Sequence, residues 1–178
     1  TLLFISTPAG AEDAAHHQIR RQAQKAYTDG NWQDAFELYR HLCLDSKTDM
    51  KMVPSDFTQA WQCLRQLNRL HELDDFREAV IEQHAANWRL LLAAARSYSQ
   101  NTHWGYMIAG EFQRGYHRGG GKYVNALARD RVRALQLLQQ AMGPAESDPQ
   151  KTEAAQFYMA FAGILQQHRG TAQAWRLQ

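Results

Sequence analysis

The stretch IRRQAQKAYTDGNWQDAFELYRHLCLDS, residues 19–46, decides the fold class of this chain. It contains two amphipathic segments separated by residues 29–31, an Asp-Gly-Asn tripeptide typical of a tight turn. In the first segment Ala23 and Ala26 recur on one face at helical spacing, and Ala35 opens the matching face of the second. Small side chains let two helices approach closely, and aromatic residues fill the remaining space. The stretch therefore predicts an antiparallel pair of packed helices.

This predicted pair has the size and pattern of a tetratricopeptide repeat, whose period is about 34 residues. The repeat's usual Trp-Leu-Gly opening is absent, since Ile19 and Gln22 occupy its first two positions. Strict alternation of apolar and polar residues is not sustained anywhere, so we predict no β-sheet. The predicted fold class is all-α, a tetratricopeptide-like solenoid of stacked antiparallel helix pairs over residues 12–178.

Later segments repeat the helical spacing with weaker signals. One helix is expected to begin with Ser55 as its N-cap and to close at Asn68, and another begins at Asn87. The remaining predicted helices cover residues 124–142, ending before Gly143-Pro144, then about 153–167, and finally 170–178. A solenoid of this kind exposes an extended concave surface, which predicts a binding function rather than a buried active site.

The composition is that of an ordinary folded domain. Apolar residues make up 44% of the 178 residues, and 20 Lys and Arg stand against 18 Asp and Glu. A formal charge of +2 does not by itself indicate a nucleic-acid partner. The ordinary proportions of charged and apolar residues argue against wholesale disorder.

The N-terminal segment TLLFISTPAGA, residues 1–11, predicts export. An apolar stretch is followed by Pro8 and the small residues 9–11, as at the end of a secretory signal peptide with its cleavage site. We expect a periplasmic protein, with any membrane tether outside this chain because no other stretch is apolar enough to span a bilayer. A chain ending inside a predicted helix suggests that residues 12–178 are the N-terminal piece of a longer protein.

The sequence Gly119-Gly120-Gly121-Lys122 superficially resembles a phosphate-binding loop. Such a loop requires a hydroxyl residue after the lysine and a glycine five residues before the last one. Here Tyr123 follows the lysine and Tyr116 occupies the earlier position. We therefore expect no nucleotide cofactor, and we interpret the glycines as a sharp turn between helix pairs.

A basic run with interleaved aromatics follows from Arg114 to Arg133. We predict that it is a protein-binding surface formed by these residues: Arg114, His117, Arg118, Lys122, Tyr123, Arg129, Arg131 and Arg133. Two alternatives remain open: a solvated face, or internal pairing with the acidic run Glu72, Asp74, Asp75, Glu78 and Glu82. Nucleic acid is the least favoured partner because the protein is expected to be exported.

No catalytic or metal-binding pattern is recognisable. The eight histidines lack the i, i+4 ligand spacing of a zinc helix, and the carboxylates show no acid–base pair. Cys43 and Cys63 are expected to lie about 10 Å apart or more across the helix pair, too far for a disulfide, so we predict free, buried thiols. We expect a non-enzyme without cofactor, metal or small-molecule substrate.

Four segments together resemble the N-terminal helical region of large bacterial α2-macroglobulin-like proteins. They are AYTDGNWQDAFELYRHLCLD (26–45), DDFREAVIEQHAANWRLL (74–91), HRGGGKYVNALARDRVRALQLLQQAM (117–142) and RGTAQAWRLQ (169–178). The resemblance implies an exported, defensive protein that traps proteases, often by means of an internal thioester built on a Cys-x-Glu-Gln motif.

This chain departs from that chemistry. The nearest string, Cys63-Leu64-Arg65-Gln66, has arginine where glutamate is needed, so no thioester is assigned. The resemblance thus implies an accessory interaction domain of a protease inhibitor, whose partners are other domains of the same chain or envelope proteins. The alternative is a stand-alone tetratricopeptide-type periplasmic adaptor.

Overall fold

The computed structural model describes residues 9–167, which are mostly helical. Their helices are α1 (Ala9–Thr28), α2 (Trp32–Leu44), α3 (Val53–Gln66), α4 (Leu73–Gln83), α5 (Trp88–Gln100), α6 (Leu127–Glu146) and α7 (Lys151–Gln166), with a 3-10 turn at Leu70–Glu72. The all-α expectation is confirmed in this coarse sense. Most of the predicted signal remnant and the whole predicted helix 170–178 lie outside the described residues.

The first helix pair forms as its sequence predicts. Gly30 adopts a φ of 79° in the turn between α1 and α2, a conformation that favours glycine. Ala23 and Ala35 are fully buried, which lets the two helices pack closely. Tyr27 and Trp32 meet edge to face, with ring centroids 4.8 Å apart. The tight turn and the small apolar face therefore build the helical hairpin.

The ends of α3 show how local signals set helix boundaries. This helix begins at Val53 rather than after Ser55, because Pro54 occupies its first turn, where no N–H donor is required. Asn68 terminates it in a left-handed conformation with a φ of 57°, and the Arg69 amide donates to the Leu64 carbonyl. The predicted N-cap was wrong, whereas closure at Asn68 is confirmed.

A three-stranded antiparallel sheet interrupts the pair formed by α5 and α6. Asn87 caps α5 by accepting from the Leu90 amide, as predicted. The strands are β1 (Trp104–Ile108), β2 (Glu111–Arg114) and β3 (Lys122–Asn125), in the order β2-β1-β3. The expectation of no sheet was wrong because strands of four or five residues are too short to show sustained alternation.

Glycines shape this small sheet in two ways. A two-residue turn joins β1 to β2, with positive φ at both Ala109 (51°) and Gly110 (89°), as in a type I′ hairpin. At Gly105 an added Cβ would lie 2.1 Å from the Gln113 carbonyl oxygen, so the close approach of β2 requires glycine. Residues 119–121 lie in the β2–β3 connection and not between helix pairs, which corrects the sequence-based interpretation.

The strand register assigns side chains to the two faces of the sheet. Gly105 pairs with Arg114 and Val124, so these residues share one face, which is the face anchored to the helices by Arg114. Tyr106 pairs with Gln113 and Tyr123 on the opposite face.

The final helices complete the apolar core. α6 continues through Gly143-Pro144 to Glu146, and Val124 belongs to β3, so the predicted bounds of this helix were wrong at both ends. α6 packs along α5, and α7 packs on both. No described helix combines the length and apolar character needed to cross a membrane.

Candidate protein-interaction surfaces

A buried ionic cluster joins the sheet to the helices. Its centre is Arg114, at the end of β2, whose side chain is almost completely inaccessible at 1% exposure. Arg114 donates to both carboxylate oxygens of Asp74 on α4, at 2.9 and 3.0 Å, and to both oxygens of Asp130 on α6, at 2.7 and 2.9 Å. It also donates to the Thr102 carbonyl. One guanidinium therefore ties together three separate elements.

Further groups complete the cluster around these two carboxylates. Arg129 donates to Asp74 at 2.7 Å and to Asp130 at 2.9 Å, and His103 hydrogen-bonds Asp130 at 2.9 Å. Arg77 is fully buried, donates to Asp74 and stacks 3.5 Å above the Tyr98 ring centroid. The fully buried Asp130 and the partly buried Asp74 are stabilised in this setting because each carboxylate faces several cationic donors.

The pKa values of the cluster follow from this geometry. Burial alone would raise the pKa of Asp130, but hydrogen bonds from Arg114 and His103 outweigh it and hold that pKa at about 2. The same balance of burial against the Arg114 hydrogen bond lowers the pKa of Asp74. Both carboxylates are therefore ionised at neutral pH, and their ion pairs with Arg114 anchor the sheet to α4 and α6.

Internal pairing accounts for part of the predicted basic surface. Arg133 pairs with Glu78 of α4 at 2.5 Å, and Arg131 donates to the carbonyls of Leu165 and Gln167 at the end of α7. The acidic run of α4 thus meets the basic run, which was the alternative left open by the sequence. Arg114 is a correction to the predicted surface, because a buried side chain cannot contact a partner.

Four other predicted residues lie on the outside of the sheet region, and two aromatic residues of β1 that the sequence did not single out lie beside them. We call this set the exposed sheet patch; it comprises His117, Arg118, Lys122 and Tyr123 with Trp104 and Tyr106. Lys122 pairs with Met107, so its side chain leaves β3 on the face opposite to Tyr123, at the rim of the patch. Tyr123 is 58% exposed and Trp104 39%, and their rings stack with centroids 6.5 Å apart. Tyr106 meets Tyr123 edge to face at 6.1 Å. Within residues 9–167, neither Arg118 nor Lys122 has an ion-pair partner.

A groove of about 930 Å³ lies beside the sheet, between α2, α4 and β2. Three phenylalanines line it, one from each of these elements, together with a mixture of charged side chains. The lining residues are Phe36, Glu37, Arg40, Leu44, Arg69, His71, Glu72, Asp74, Asp75, Phe76, Ala79, Glu111, Phe112, Gln113 and Arg129. The sequence did not predict this groove because one wall is β2, and no strand was expected there.

The cysteines have the environment expected of structural thiols. Cys43 and Cys63 are free and fully buried, and burial raises the pKa of both, that of Cys63 to about 11. Cys63 lies inside α3, where no thioester was assigned. Among the described residues, no group of three or more His, Cys, Asp or Glu side chains is arranged to hold a metal ion.

Comparison with known proteins finds no family model, no curated protein and no solved structure that matches this chain.

Proposed function

We propose that the chain is a non-catalytic protein–protein interaction module that contacts its partner through the exposed sheet patch. The observation that carries this proposal is the contrast within the basic run. Arg114, Arg129 and Arg133 are engaged in internal ion pairs, whereas Arg118 and Lys122 have no ion-pair partner among residues 9–167. These two cations lie on and next to β3, whose exposed Tyr123 stacks on Trp104 of β1.

The chemistry of the patch suits a protein surface as ligand. Aromatic residues supply a large contact area at a low cost in side-chain entropy, and tyrosine, tryptophan and arginine dominate binding energy at interfaces. Lys122 and Arg118 favour a partner with acidic residues near its contact, because complementary charge speeds and orients association. The apolar core and the buried ionic cluster form a rigid support for this patch.

The biological setting is part of the same proposal. We place the module at the N-terminus of an exported bacterial α2-macroglobulin-like protease inhibitor, in the periplasm, where it docks on other domains of that chain or on envelope proteins. The α1–α2 hairpin supports a tetratricopeptide-like stacking of helix pairs, interrupted by the sheet between α5 and α6. The setting itself rests on the resemblance of the four quoted segments.

The contact surface is tested by capture of partners from an envelope extract. The variant combines Arg118→Glu, Lys122→Glu and Tyr123→Ala, which changes exposed side chains and leaves the buried ionic cluster intact. A matched control combines Arg21→Glu, Lys25→Glu and Tyr158→Ala, all at exposed positions on α1 and α7. We expect the patch variant to lose the proteins that the unaltered chain and the control retain. Equal recovery by all three would show that the patch is not the contact surface.

The setting is tested separately, by the reading frame that continues after Gln178. A long β-rich continuation supports the inhibitor. A stop codon or further helix pairs supports the alternative, a stand-alone tetratricopeptide-type adaptor, without changing the test of the patch.

A further inference from the structure

One edge of the small sheet faces the groove. In an antiparallel pair, alternate residues turn their backbone N–H and C=O groups towards the partner strand. The Gly115 amide donates to the Trp104 carbonyl, so in this register Glu111 and Gln113 bond β1 while Phe112 and Arg114 turn outward. No backbone partner for the Phe112 N–H or C=O is found within residues 9–167. β2 therefore presents one free donor and acceptor pair along the groove.

The groove also has an excess of negative charge. Its arginines are already engaged: Arg69 with Glu72, Arg129 with Asp74, and Arg40 with Glu37 at the longer distance of 3.7 Å. Asp75 and Glu111 are exposed carboxylates on opposite walls, and neither has an ion-pair partner among the described residues.

An apolar lining completes the site between these charges. Phe112 of β2 is partly exposed, whereas Phe36 and Phe76 pack edge to face at 5.5 Å on the helical wall and are only 3% and 7% exposed. Apolar side chains of a ligand can therefore bury surface mainly against Phe112, while its main chain pairs with the strand edge. Backbone groups, rings and carboxylates are thus combined along a single groove.

From this arrangement we propose that the groove binds an extended, lysine- or arginine-containing segment of a partner protein, which adds to the sheet as a fourth strand beside β2. Its main chain pairs with the N–H and C=O of Phe112, its apolar side chains contact the Phe112 ring, and its cations pair with Asp75 and Glu111. An acidic segment is disfavoured because it would bring further negative charge beside these unpaired carboxylates. This site goes beyond the exposed sheet patch and uses different residues.

The proposal is tested with labelled hexapeptides and the intact chain. The probe Lys-Val-Arg-Val-Lys-Val is compared by fluorescence anisotropy with Glu-Val-Glu-Val-Glu-Val and with a form of the probe methylated on every amide nitrogen. We expect the unmethylated basic probe to bind at least about tenfold more tightly than either of the others, since charge and backbone pairing both contribute. Saturating probe should also slow hydrogen exchange of the Phe112 amide.

Two charge-reversal variants distinguish probe binding in the groove from a general effect of the protein's net charge. Asp75→Lys with Glu111→Lys should weaken the basic probe by about tenfold or more. Asp13→Lys with Glu146→Lys, an equal charge change at exposed helical positions, should leave its affinity within about twofold. The proposal is overturned if the two charge-reversed proteins bind alike, if methylation has no effect, or if no probe binds at about 1 mM.

The outcome is independent of the exposed sheet patch. The variant with Arg118→Glu, Lys122→Glu and Tyr123→Ala should retain basic-probe binding because it alters no residue that lines the groove. Loss of partner capture with intact probe binding would support both surfaces separately. Loss of probe binding in this patch variant would show that the peptide uses the patch, which contradicts the groove site.

Discussion

The α1–α2 hairpin and the buried ionic cluster around Arg114 are stabilised by different kinds of interaction. In the hairpin, Ala23 and Ala35 are buried in an apolar contact that has no directional requirement. In the buried ionic cluster, Arg114 is equally buried but is held by charged hydrogen bonds to Asp74 and Asp130. Apolar contacts tolerate changes of side-chain shape when the volume is kept. Removing one partner of a buried ion pair instead leaves an uncompensated charge in the interior, which is strongly destabilising.

The largest expected effect on stability comes from removing Arg114, the central cation of the buried ionic cluster. Arg114→Leu should destabilise the protein by about 3–5 kcal/mol, because it removes a central cationic partner from the buried Asp130 and the partly buried Asp74. Arg114→Lys should not restore full stability, since a single ammonium cannot make the paired hydrogen bonds to both Asp74 and Asp130. Urea unfolding measures both values. Arg118→Leu, at an exposed position, is the control and should change stability by less than about 0.5 kcal/mol.

The corresponding test of the apolar region uses Leu42, which is fully buried on α2. Leu42→Ala should cost about 3 kcal/mol through lost burial and a cavity. Leu42→Met keeps the volume and should cost less than about 1.5 kcal/mol. If Leu42→Met and Arg114→Lys are equally damaging by the same urea assay, the two regions do not differ in their tolerance of conservative change.

The pH dependence of stability should arise partly from Asp130. Its pKa of about 2 in the folded protein lies below the ordinary value of 3.8, so its contribution is present above about pH 4 and is lost as the pH falls through 2. The shift corresponds to about 2 kcal/mol. The stability difference between the unaltered protein and Asp130→Asn should therefore shrink by about that amount between about pH 5 and pH 1.5. A constant difference in urea titrations would contradict this role for the carboxylate.

These contrasts explain which features the sequence could predict. Ala23, Ala35 and Asn87 act through spacing and caps that lie within one or two helical turns, so their roles are readable locally. The partners of Arg114 lie 40 and 16 residues away, and charge alone does not select them from the other acids. The sequence could predict that the acidic and basic runs meet, but the ion pairs of Arg114 depend on β2, which was not expected.

The two candidate surfaces differ in the same way in how much of each the sequence could predict. Lys122 and Tyr123 were identified as surface residues by composition, and this required no knowledge of strands. The groove depends on β2, whose four residues include Phe112 and Arg114 on one face and carry too little alternation to signal a strand. A site built from a short strand and two distant helices has no compact sequence signature.

The smallest effect concerns the β1–β2 turn, which positions Arg114 at the end of β2. Ala109 adopts a φ of 51°, which is unfavourable for alanine, whereas asparagine is well tolerated at the first position of a type I′ turn. Ala109→Asn should therefore stabilise the protein by about 0.5–1 kcal/mol. The same change at the exposed helical residue Ala128 is the control and should slightly destabilise it, because asparagine is a poorer helix former. A rise in the urea midpoint only for Ala109→Asn would show that the β1–β2 hairpin unfolds cooperatively with the buried ionic cluster. No rise would mean that the sheet opens independently of the helices.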